Sequence, residues 1–352
     1  MASGTARAPK RPARHARHAS EPVTIATWIR RISPAGWTAL GACLVALALA
    51  LHTLQGPVAD YDEGVYWQSL RAMASGHPLF SAVFSSQPPL FLLSVYPFYM
   101  FFGQGLSAAR MALVVFSVAG IAGVYVTGRA LGHRNIGAVA AVVLALDPLY
   151  QHGAHTLQAE MPSVALQIWA VAFSVLAMRT TGRWRGWLAM GAGVLLGCAL
   201  LIKLFAVVAL VPMVLYLGVP LIRRWHGDTE ILRRPSWPEV QAGLRQIAPT
   251  FGWFVAGLAG AAFLILLPFA GRLGALYDQV VRFHLVAAQT DHSSLAHNFG
   301  IILTTLAGTP LSYLSIFALF FIVWRRVWTS APLLLWAMAA IILLLRQQPL
   351  LG

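Results

Sequence analysis

Acidic residues are scarce in this chain. Its 352 residues include eleven Asp and Glu against 25 Lys and Arg, and charged residues of all kinds make up 10%. Soluble domains carry about a quarter, so a soluble fold is excluded. Cysteine is nearly absent. Cys43 and Cys198 both fall inside apolar segments, which excludes a disulfide framework and a zinc-type Cys/His set. There is no Gly-rich phosphate-binding loop and no internal repeat. Long polar stretches are confined to the N-terminal tail and residues 223–247. The net charge of +14 does not indicate nucleic-acid binding, because the basic residues gather at the ends of apolar segments, where they set membrane topology.

What is present is apolar: 58% of the chain is hydrophobic. Stretches long enough to span a bilayer recur from residue 37 to residue 345, so the chain reads as an all-α polytopic membrane protein. Residues 1–34, rich in Ala, Arg, His and Pro, read as a disordered basic cytoplasmic tail. The first apolar segment has no convincing cleavage site and reads as a retained helix.

Ten apolar segments are visible: 37–54, 88–102, 107–128, 136–150, 161–178, 186–202, 204–222, 250–270, 299–323 and 331–345. If all ten cross, twelve arginines in the connections (Arg129, Arg134, Arg179 and others) land outside, against the positive-inside rule. If "PPLFLLSVYPFYMFF" (88–102) lies on the membrane instead, those twelve join the seven Lys and Arg of the tail on the cytoplasmic side. This segment is short for a span and carries Pro97 in its middle. About nine transmembrane helices follow, with a first external loop at 55–106 holding two interfacial helices, near 63–75 and 89–102. Gly76 is a natural stop for the first. Asp60, Asp62, Glu63, Asp147, Glu160, Asp278 and Asp291 all come out on or near the external side.

That sorting makes "DYDEG" (60–64) the leading candidate site. One carboxylate suffices to cap the helix that starts there. The others raise one another's pKa, which suits a general base or a metal ligand. Glu160, in "HTLQAEMPS", returns to the same face. Lys203, in "LLIKLFAVV", is an isolated cation at membrane depth, which is a functional hypothesis by default; the alternative is a lysine snorkelling between two helices. Gln87 precedes the Pro88–Pro89 start of the second surface helix, and Arg110 opens the next span. Arg282, His284, His292 and His297 lie in the last external loop. A divalent metal held by His284 with Glu63 or Glu160 is conceivable, though no spacing demands it.

Several segments carry a family resemblance. "YDEGVYWQSLRAMASG" resembles the external-loop motif of protein O-mannosyltransferases and lipid A aminoarabinose transferases. "QPPLFLLSVYPFYMFFGQGLSAARM" resembles their second surface helix, followed by an Arg entering a span. "AEMPSVAL", "GCALLIKLFAVV" and "VVRFHLVAA" fall where that family has a second acid, a Gly-rich helix followed by Lys, and a late His. The ordered set covers roughly residues 37–300. It implies a GT-C glycosyltransferase over 35–352 that moves a sugar from a polyprenyl-phosphate donor to an extracytoplasmic hydroxyl of a protein, lipid or glycan, with inversion. In that reading Asp62 is the base. Glu63 and Glu160 orient the sugar or acceptor, or tune Asp62. Lys203 and Arg110 hold the departing phosphate, and Asp60, Gln87 and His284 line the site. The sequence departs from the family at Gln87, where Lys or His is favoured, and at Glu160, where Asp is common. It also stops at "LLLRQQPLLG", where family members continue, as a short or truncated member would. A bacterial plasma membrane is the expected location, with the site facing outward. A lipid-linked sugar transporter without transfer chemistry is the alternative; it would favour internal repeats and polar groups at mid-membrane depth.

Overall fold

The structure is a computed structural model that describes residues 32–225, 236–290, 294–324 and 327–347. The basic tail to residue 31 lies outside it, as do Asp291 and His292. Among the described residues there are helices and no strand, only an isolated bridge between Leu79 and Val83.

Helix α1 (Pro34–Thr53) buries a stripe of alanines at 35, 39, 42, 46 and 50, a spacing of three and four that lets neighbours approach closely. Helix α2 (Tyr61–Ala74) begins at the Asp60 cap, and Gly76 just beyond it takes φ +88, the left-handed conformation that ends a helix. Helix α3 (Leu90–Phe101) follows the two prolines and retains Pro97. Both segments expected to be helical in the first external loop are therefore helices. Helix α4 (Leu106–Ala130) leads into α5 (Arg134–Leu146) and α6 (Pro148–His155), a pair bent by 63° at Asp147–Pro148. Next come α7 (Glu160–Arg179) and α8 (Arg183–Leu200), a 3-10 turn at Leu204–Ala209, and α9 (Leu210–Trp225). Helix α10 (Trp237–Leu266) opens with a Ser236–Glu239 capping box. It continues through short turns to α11 (Leu273–Tyr277), a π-helical turn at Asp278–Arg282 and α12 (Phe283–Thr290). Helices α13 (Leu295–Ala307), α14 (Pro310–Trp324) and α15 (Ala331–Arg346) complete the described chain.

Among the described residues, five helical runs are long and apolar enough to cross a membrane, or seven if each bent pair is one span. The two expected spans that fall short have local causes. Helix α8 carries Arg183 and Arg185 in its first turn, and α9 becomes α-helical only after the 3-10 turn. The expected 299–323 span is broken at Gly308–Thr309, with a 97° bend. The chain is an integral membrane protein.

Packing in the bundle depends on close approach. A Cβ at Gly193 would lie 2.0 Å from the Phe254 carbonyl oxygen, and one at Gly257 would lie 2.1 Å from that of Met190, so α8 and α10 meet backbone to backbone. Long-range hydrogen bonds fix which ends of the helices coincide. Arg110, in the first turns of α4, donates to the Leu54 and Gly56 carbonyls just past the end of α1. The chain therefore leaves α1 and enters α4 at one end of the bundle. The 12 residues of α3 span about 18 Å, short of the roughly 30 Å hydrocarbon thickness. At the opposite end Arg179 donates to the Leu131 carbonyl, which gathers Arg129, Arg134, Arg179 and Arg183 away from the acidic cluster.

Candidate active site

The site is organised by a buried ion pair. Glu63 and Arg110 are 0% and 1% exposed. Arg110 Nε donates to Glu63 Oε1 at 2.8 Å and Nη2 to Oε2 at 2.6 Å, a two-pronged contact. The other three N–H groups of the guanidinium go to the carbonyls of Leu54, Gly56 and Pro57. Glu63 also accepts from the Ala59 and Leu157 amides, each at 2.7 Å. Five donors and four acceptor positions are thus all engaged within the protein. Burial on its own would raise the Glu63 pKa, but the hydrogen bonds from Arg110, Ala59 and Leu157 outweigh it and hold the carboxyl below its ordinary value. One ion pair joins the end of α1, the start of α2, the first turns of α4 and the loop before α7.

This clamp sorts the acidic cluster. Asp60 has extended backbone and caps α2: its Oδ1 accepts from the Glu63 amide at 2.8 Å, and its Oδ2 accepts from the Gln158 side chain. The four acceptor positions of Glu63 are all taken by protein donors. Asp62 lies between them on the helix, about 100° around from Glu63. It is exposed and has no hydrogen-bond partner among the described residues. Its pKa is raised, first by partial desolvation and then by the charges of Asp60 and Glu160, with Lys203 pulling the other way.

Besides Asp60, the groups that act electrostatically on Asp62 come from α7 and the end of α8. Glu160 opens α7, and Lys203 follows α8; the two form an ion pair with side chains 52% and 23% exposed. The ammonium of Lys203 also sits 5.8 Å from the Phe205 ring centre. One turn past Asp62, the Tyr66 hydroxyl accepts from Gln87 Nε2 at 3.2 Å. Its pKa is pushed up to about 12, chiefly by burial and next by the charge of Asp62. Asp62, Tyr66, Gln87, Glu160 and Lys203 therefore share one face, with Arg110 and Glu63 beneath it.

The late loop reaches this face from the side. His284 Nε2 lies 3.0 Å from the Ser86 carbonyl, next to Gln87, and Gln279 Oε1 accepts from the Ser85 amide at 3.0 Å. Arg282 pairs with Asp278 on the surface, and the backbone amide of His297 bonds to the Ser294 cap. A metal shared by His284 and Glu63 is not available, since Glu63 is saturated by protein donors; among the described residues no three His, Cys, Asp or Glu converge. Asp147 is buried at the α5–α6 bend, 3% exposed.

Three contributors escape sequence reasoning. Tyr66 reads as part of the apolar face of α2, although its position four residues after Asp62 places it one turn along the same side. Gln158 and the Leu157 amide give no signal, because a lone glutamine and a backbone N–H have no distinctive pattern.

Comparison with known proteins follows the fold. Residues 86–231, less than half the chain, match the family described as dolichyl-phosphate-mannose-protein mannosyltransferase. No curated protein sequence matches significantly. The chain is similar to ArnT from Cupriavidus metallidurans bound to undecaprenyl phosphate, with TM-score 0.62 and 17% identity over 90% of this chain and 57% of that one. For ArnT in the apo state the values are 0.60, 20%, 90% and 56%. It is also similar to the Archaeoglobus fulgidus oligosaccharyltransferase in complex with Zn and sulfate, at 0.52 and 14%, over 88% of this chain and 46% of that one. The chain spans about half the length of these structures. The fold is of the GT-C type and resembles the O-mannosyltransferases and ArnT.

Proposed function

We propose that this protein transfers a sugar from a polyprenyl-phosphate donor to the hydroxyl group of an acceptor, on the outer side of a bacterial plasma membrane. The observation that supports it most is the state of Asp62: of the three clustered carboxylates it alone has free oxygens, and it lies in the field of a lysine that can meet a phosphate. A neighbour of the same fold is described as bound to undecaprenyl phosphate, a lipid of the class required here.

The lipid phosphate leaves as a stable anion, so no proton donor is needed for departure. Asp62 takes the proton of the acceptor hydroxyl as its oxygen bonds to the anomeric carbon. The bond from that carbon to the phosphate oxygen breaks, and its electron pair goes to the phosphate. Attack opposite the leaving group inverts the anomeric centre. Lys203 offsets the charge on the phosphate; the Glu160 contact occupies one of its three N–H groups and leaves the others for the donor. Glu63 and Arg110 act as positioning residues that hold Asp62 against the Glu160 loop. Tyr66 and Gln87 line the sugar. The acidic end faces outward because the arginines lie at the other end, where the positive-inside rule places the cytoplasm.

The test is a membrane assay with a radiolabelled polyprenyl-phosphate sugar. Label should appear on an acceptor, and Asp62→Asn should lower turnover about 10²–10⁴-fold, the usual worth of a general base. Label that crosses the membrane without joining an acceptor would identify a transporter instead.

A further inference from the structure

The bend between α5 and α6 holds a feature that the proposed transfer does not use. Asp147 is 3% exposed and caps α6 by accepting from the Tyr150 amide at 3.0 Å through Oδ1. Its Oδ2 is buried and without a partner, and so is Gln151 Oε1. The Gln151 amide nitrogen donates to the Ala145 carbonyl, so the oxygen is necessarily the free end; reversing the amide would set two oxygens against each other. These residues stand four apart across the first turn of α6, on one side of it. The last carbonyls of α5, the negative end of its dipole, lie at the same break. Tyr150 ties this turn to the middle of α4, its hydroxyl donating to the Ser117 carbonyl at 2.8 Å. A carboxylate buried inside the protein, with no ion-pair partner among the described residues, calls for a positive charge.

We propose that Asp147 Oδ2 and Gln151 Oε1, at the break between α5 and α6, bind one small hard cation, with Na⁺ as the physiological candidate. An oxygen-only set at an interrupted membrane helix suits such an ion. The ion would hold the 63° bend that carries the chain up to Leu157, whose amide bonds to Glu63. The cation would thus support the clamp without touching the reacting groups, and the proposal stands whether or not the transfer reading is correct.

The experiment measures thermal unfolding of the purified protein in detergent, with Na⁺ exchanged for N-methylglucamine at constant ionic strength. The wild type should gain apparent Tm with Na⁺ in a saturating curve. Asp147→Asn keeps the capping oxygen but removes the charge; it should fold and lose the Na⁺ response. Gln151→Leu should shift the midpoint to higher Na⁺ and keeps the test decisive if the first variant fails to fold. A wild type indifferent to Na⁺, or a response unchanged in both variants, would overturn the proposal.

Discussion

Glu63→Gln and Asp62→Asn are each a one-atom change at adjacent positions, yet the structure separates their consequences. Glu63→Gln would keep the shape of the side chain but lose its charge and replace one acceptor oxygen with a donor. Arg110, 1% exposed, would then be a buried cation without a counter-charge, and a new N–H would confront a donor from Arg110, Ala59 or Leu157. Breaking one side of a buried pair costs about 3–5 kcal/mol, on the order of 5–10 °C in Tm for a chain of this size. Arg110→Met should be at least as severe, since it also strips the donors from three carbonyls. The double variant should lose clearly less than the sum of the two, because each single change already abolishes the shared contact. Asp62→Asn, exposed and without a partner, should leave Tm unchanged while turnover falls. The assay pairs apparent Tm with turnover at saturating donor for all four proteins. If Glu63→Gln keeps the wild-type Tm and loses only turnover, the clamp is not structural and Glu63 belongs to the chemistry.

Three further outcomes follow from the geometry. Lys203→Met, which keeps the apolar stem, should raise KM for the donor lipid and leave Tm near wild type; an unchanged KM would reduce Lys203 to a snorkelling residue. Because the raised Asp62 pKa means the base holds its proton to higher pH, the acid limb of kcat/KM should inflect above the ordinary Asp value of about 3.9. Removing the Glu160 charge in Glu160→Gln should move that limb to lower pH, and Lys203→Met should move it higher; opposite shifts would refute the electrostatic assignment. Cysteines introduced at Gln104 and His133 should label with membrane-impermeant reagent from outside and only after permeabilisation, respectively, and the reverse pattern would invert the topology.

Much of the fold was legible in the sequence because its causes are local. Bilayer-length apolar runs, the prolines at 88 and 89, and Gly76 marked most of the helices, although the runs 136–150 and 299–323 are each broken into a bent pair. The sorting of arginines led to the expectation that 88–102 does not cross, and Arg110 contacts the Leu54 and Gly56 carbonyls at the ends of the flanking helices. The clustering of carboxylates with Glu160 and Lys203 at one end was likewise read from charge placement and helix order. Tertiary structure alone decided how the cluster divides its labour. Asp60 caps, Glu63 clamps and Asp62 remains free because of partners 94 and 98 residues away at Leu157 and Gln158, and 47 away at Arg110. Periodicity and hydropathy are properties of neighbours along the chain and carry no record of such pairings. The burial of Asp147 was hidden for the same reason: at a bend of 63° between Asp147 and Pro148, a position near the end of an apolar segment is only 3% exposed.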